Sequence, residues 1–147
     1  MDQSSPAVSA ARAFRVVHLA LIVGLLLLAV VLVLVRQTIR FQLFPSGVAA
    51  PAFALAAFAL LFVAATMLRR KVPTRRFEQT AETYWNSVET RAGAIVLWAV
   101  AQGAGLIGTI GFFLTANPLP LGVTLLALGA LVAFRPSRLE SDDSPGR

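Results

Sequence analysis

Cysteine is absent from the 147 residues, which excludes disulfides, thiolate metal sites and a cysteine nucleophile. Charge is scarce: 14% of the chain is charged, where a soluble domain carries roughly 25%. The seven acidic residues are Asp2, Glu78, Glu82, Glu89, Glu140, Asp142 and Asp143, all outside the long apolar runs. Proton-coupled transport places an ionisable group at depth in the bilayer, and this chain has no carboxylate there. His18 is the one histidine, so paired imidazole ligation is out of reach, and Met67 is the one soft group that could sit at similar depth. No cofactor or metal is therefore expected. Within the apolar runs no Ser/His/Asp set, HExxH or carboxylate pair can be assembled, so an enzyme is not expected either. Lysine occurs once, as Lys71, against twelve arginines. With the many alanines, that usage points to a GC-rich bacterial genome.

What the chain has instead is apolar length. Hydrophobic residues make up 57% of it, more apolar surface than a soluble fold can hide. The expected fold class is all-α, an integral membrane bundle of four transmembrane helices, with spans at about 16–35, 48–68, 93–115 and 118–134. The first, VVHLALIVGLLLLAVVLVLV, has the length to cross a hydrocarbon core of ~30 Å at ~1.5 Å per residue. It exceeds a signal-peptide core and ends in VLVR without a small-residue cleavage site, so it is expected to be retained. The second is rich in alanine, which permits close helix contact. After the third, Asn117 is a good N-cap and Pro118 suits the first position of the last helix. Residues 1–13 and 135–147 have the composition of flexible tails.

The long polar stretch lies between spans two and three. In residues 74–91, Phe77, Ala81, Tyr84, Trp85 and Val88 share one helical face and the glutamates fall mostly on another. An amphipathic helix starting near Pro73 and Thr74 is expected, with Phe77, Tyr84 and Trp85 as a partner-docking or interfacial face and the glutamates paired to arginines. The net charge of +6 does not point to nucleic acid, because the basic residues sit at the ends of apolar runs. With four spans, eleven of them fall on the side of the termini and central loop, and only Arg36 and Arg40 fall opposite. The positive-inside rule then places both termini in the cytoplasm of a bacterial inner membrane.

The third span, around RAGAIVLWAVAQGAGLIGTIGFFLTANP, holds the candidate site. Gln102 is an amide within an apolar helix, where facing lipid is costly, so it should face another helix. Trp98, Gln102, Gly105 and Thr109 follow steps of four, three and four and share one stripe. Ala101 to Gly105 and Ala104 to Gly108 are small-xxx-small pairs, the pattern of close backbone approach. Gly103, Gly105 and Gly108 formally spell GxGxxG, but inside a membrane helix that follows no strand this is no nucleotide fingerprint.

Trp98 to Leu106, WAVAQGAGL, resembles the carboxylate-bearing helix of the rotary ATPase c-subunit, with Gln102 where the carboxylate stands. The longer run ETRAGAIVLWAVAQGAGLIGTIGFFLTANP, with RPSR after the last span and VVHLAL in the first, resembles a family of small four-span bacterial membrane proteins. The resemblance implies an architecture rather than an activity. The expected role is a non-enzymatic accessory or scaffold subunit acting through helix packing, in contact with the lipid bilayer and with a second copy or another membrane protein. The alternative is an oligomeric ion or small-molecule pore or transporter component, with Gln102 and Thr109 lining the path.

Overall fold

The computed structural model of the chain describes residues 9–38, 43–76 and 78–141, and all regular structure in them is helical. Helix α1 (Ala10–Thr38) is followed by α2 (Ser46–Val63), which continues through a π-helical turn (Ala64–Leu68) into α3 (Arg69–Lys71). After an irregular stretch come α4 (Ala81–Asn86), α5 (Val88–Thr115), α6 (Pro118–Ala133) and α7 (Pro136–Glu140). Three segments are long and apolar enough to cross a membrane: Ala10–Thr38, Ser46–Lys71 and Val88–Thr115. Helix α6 is equally apolar but has 16 residues, about 24 Å of rise.

Helix α5 is the axis of the bundle, packed against α6, α2 and α1. Small residues let the others approach it. On α2, Ala50, Ala54, Ala57 and Leu61, continued by Ala64 in the π-helical turn, are buried at steps of four and three, a single seam. Gly111 of α5 receives Phe53, whose Cβ would lie 2.5 Å from any Cβ added to the glycine. Helix α1 contributes a thin seam, Ala11, His18, Leu25 and Ala29, and exposes Leu19, Val23, Leu26, Leu27, Val30 and Leu34. Such an apolar outer face suits lipid rather than water.

The α5–α6 hairpin turns as anticipated. Ala116 ends α5 in the left-handed region at φ 54°, donating its N–H to the Phe112 carbonyl. The Asn117 side chain then accepts from the Leu119 N–H at 2.9 Å, with Pro118 at the first position of α6.

Three expectations change. Residues 10–13, assigned to a flexible tail, are the first turn of α1, with Ala11 buried. Residues 136–140, assigned to the other tail, form α7, with Leu139 and Glu140 buried. Segment 74–91 is not one amphipathic helix. Its helix α4 is six residues long, starts at a Thr80 cap rather than near Pro73, and breaks at extended Ser87 before α5 begins at Val88. Residues 1–8 and 142–147, and Phe77 of the expected docking face, lie outside the described residues.

Candidate functional site

Helix α6 ends beside Trp98, eleven residues into α5, so the first ten residues of α5 extend past α6. That projection must be covered, and aromatic side chains cover it. On α1, Phe14 and His18 are one turn apart on one face. Phe14 stacks on Trp85 of α4 with ring centroids 4.9 Å apart and planes within 14°. His18 meets Trp98 at 4.7 Å, and Trp85 lies 6.0 Å from Trp98 with Tyr84 edge-on at 5.2 Å. Offset and edge contacts of this kind each add about 0.5–1.5 kcal/mol beyond area burial.

Polar atoms of the cluster are matched one by one. The Trp98 Nε1–H donates to the Phe134 carbonyl at 2.8 Å, satisfying an orphan acceptor at the end of α6. The Trp85 Nε1–H donates to Glu140 Oε1 at 2.8 Å, and the Arg15 guanidinium donates to both carboxylate oxygens of Glu140 at 2.9 and 3.2 Å. Tyr84 donates to the Pro73 carbonyl at 2.8 Å. Burial pushes its hydroxyl above the ordinary value, against the lowering effect of Arg69 and with a further raising effect of Glu140. Glu82 Oε1 accepts from the Ala10 N–H at 2.8 Å, an acidic cap on the N-terminus of α1. Arg91 reaches back to the Trp85 carbonyl and to the Asn86 side chain at 2.7 Å, closing the end of α4. The His18 ring nitrogens are the exception. Buried, with the Leu131 carbonyl the polar group that approaches the ring, they reach no hydrogen-bond geometry among the described residues.

This arrangement is a clamp. It joins the starts of α1 and α5 to α4, to the end of α6 and to α7, so both ends of the described chain meet at one end of the bundle. Its carboxylate is held by an arginine and an indole.

The expected site residues are dispersed over three settings. Trp98 belongs to the clamp. Gly105, Gly108 and Thr109 form the α5–α6 and α5–α1 contact. A Cβ on Gly105 would lie 2.5 Å from Leu25 Cδ2, and one on Gly108 would lie 2.6 Å from both the Pro120 carbonyl and Thr124 Oγ1. Thr109 and Thr124 both reach the Gly105 carbonyl, at 2.9 and 3.1 Å, and lie 3.2 Å from each other. Gln102 stands apart. It is half-buried at the border between this seam and the outward face of Ile95 and Ala99, and it has no hydrogen-bond partner among the described residues. Tyr84 and Trp85, expected on a docking face, are buried at 1% and 0% exposure inside the clamp, so they offer no surface to a partner. Glu82 caps α1 instead of pairing with an arginine. Met67 is exposed, whereas His18 is buried against Trp98.

Phe14, Thr124 and Glu140 were not singled out in advance. The Phe14–His18 spacing and the lone hydroxyl of α6 were visible signals for two of them. Glu140 gave none, because its partners lie 55 and 125 residues away.

The fold and the clamp together define a class: an all-helical protein with three helices long and apolar enough to cross a membrane. The chain matches no family model, and no curated protein or solved structure matches it.

Proposed function

We propose that the chain is a four-span bacterial inner-membrane protein that works as a non-enzymatic accessory or scaffold subunit, meeting a helix of another chain through Gln102. One observation carries this reading. Gln102 lies in the hydrophobic run of α5, one turn deeper than Trp98, yet finds no partner among the described residues. An amide left unpaired in hydrocarbon costs several kcal/mol, and a helix from a second copy or another membrane protein relieves that cost. The flanking Ile95 and Ala99 supply exposed apolar surface beside it.

In this reading α6 is the fourth span. Both ends of the described chain meeting at one end of the bundle agrees with an even number of crossings. The basic excess around Arg69 to Arg76 supports a cytoplasmic position for that end. The pore alternative is weaker, because the Thr109 hydroxyl is already engaged by the Gly105 carbonyl and Thr124 and does not extend a polar path from Gln102.

Crosslinking in nanodiscs and copurification from native membranes test the proposal. Gln102→Leu is expected to abolish association while leaving thermal stability within about 0.5 kcal/mol, since it removes no bond within the chain. Unchanged association would overturn the scaffold reading. Ion flux through liposomes that disappears in the same variant would favour the pore.

A further inference from the structure

A cleft of about 380 Å³ opens where α3 and the α6–α7 junction come together, lined by Arg69, Ala133, Phe134, Arg138 and Ser141. Neither arginine forms an ion pair with a described residue, and neither side chain has a hydrogen-bond partner there. The Ser141 hydroxyl donates to the Arg138 carbonyl at 2.7 Å, which leaves the guanidinium N–H groups as the donors facing the cleft. The ends of α3 and α6 nearby present carbonyls worth about half a negative charge each, and two full positive charges override them. Among the described carboxylates at this end, Glu140 is held by Arg15 and Trp85 and Glu82 by the Ala10 N–H.

The backbone supplies a second observation. The Arg69 N–H donates to the Ala64 carbonyl, five residues back, closing a π turn. A π turn inserts one extra residue and rotates everything after it, and such turns concentrate at functional sites. Without the insertion, the azimuth that Arg69 takes toward the cleft would fall to Leu68. The break therefore exchanges an apolar side chain for a cation at this place.

We propose that the Arg69–Arg138 cleft binds a phosphate group, carried by an anionic lipid headgroup at the bilayer surface or present as free inorganic phosphate. Guanidinium forks match phosphate oxygens in geometry as well as charge, and the cleft lies at the ends of the apolar helices, the level of lipid headgroups. Ala133 and Phe134 form an apolar wall beside the charges, suited to the first carbons below a headgroup.

The test uses the full chain in phosphatidylcholine nanodiscs with and without phosphatidylglycerol, with retained lipid counted by native mass spectrometry. Wild type is expected to retain phosphatidylglycerol over phosphatidylcholine, with about a fivefold loss for Arg69→Gln or Arg138→Gln. Arg12→Gln, a basic residue outside the cleft, should retain it like wild type. In pure phosphatidylcholine discs, inorganic phosphate is compared with chloride at equal ionic strength by thermal shift. Stabilisation there, lost in Arg138→Gln, identifies free phosphate as the ligand, and no stabilisation with lipid retention identifies the headgroup. Arg138 is exposed and its side chain bonds to nothing described, so its variant keeps the fold and the comparison. The proposal is overturned if Arg69→Gln and Arg138→Gln behave as wild type in both arms, or if Arg12→Gln loses as much lipid as they do.

Discussion

Removing the Glu140 carboxylate is the sharpest test of the clamp. Its Oε1 takes the N–H of Trp85, which is fully buried, and its two oxygens hold an Arg15 side chain that is 56% exposed. In Glu140→Ala the indole N–H is stranded, at a cost of about 1–3 kcal/mol. The exposed ion pair adds only about 0–1 kcal/mol, because solvent screens Arg15. A loss of about 2–3 kcal/mol follows for alanine. Glu140→Gln keeps an oxygen for the indole and loses only the charge, so about 1 kcal/mol is expected. Arg15→Gln should cost least. Unfolding in detergent followed by tryptophan emission is well suited, because Trp85 and Trp98 are the only two indoles and both belong to the clamp. Glu140→Ala should also shift emission to the red as Trp85 meets water. If Glu140→Ala lies within about 0.5 kcal/mol of wild type, or Arg15→Gln costs more than Glu140→Ala, the carboxylate does not organise this end.

Other consequences are as direct. Gly108→Ala drives a methyl into the Pro120 backbone and should cost about 1–3 kcal/mol in the same unfolding measurement. Gly103→Ala, with nothing within 4 Å, should be neutral or stabilising by up to about 1 kcal/mol. Replacing Thr124 with valine removes the hydroxyl shared with Thr109 and the Gly105 carbonyl, and a loss of about 0.5–1.5 kcal/mol is expected in detergent. Tyr84 is the single tyrosine, so its ultraviolet titration reports one group. With its folded value raised above 10.0, the neutral form is favoured by folding. That contribution is complete below the unfolded value and is lost as pH rises through the folded one. Tyr84→Phe should remove this alkaline dependence at a cost of about 1 kcal/mol, and an unshifted titration would contradict the buried hydroxyl.

Much of the helical architecture was legible because it is written locally. Twenty apolar residues announce their own length, the alanines of α2 recur at the spacing of a seam, and Asn117-Pro118 starts a helix by its own chemistry. Gly105 and Gly108 were recognisable as points of close approach for the same reason, although their partners Leu25, Pro120 and Thr124 were not. The clamp was hidden. Tyr84 and Trp85 occupy one helical face, and periodicity alone cannot distinguish a face that meets lipid from one that meets α1 and α5. The charged composition after Arg135 resembles a tail. Helix α7 is held by contacts to Trp85 and Arg15, far away in sequence, which local composition does not record.

The shortness of α6 has a consequence for the surrounding lipid. Its 16 residues rise about 24 Å, against a hydrocarbon core of about 30 Å, while α1 and α5, at 29 and 28 residues, exceed that thickness. On the four-span reading proposed above, a hydrocarbon core of about 30 Å overhangs α6 by about 6 Å. Each ångström of mismatch costs a fraction of a kcal/mol, so lipid beside α6 should thin and short-chain lipids should gather there. On that reading the protein would carry a thickness gradient around its circumference, orienting neighbouring proteins with the same deficit toward this face before any side chain touches.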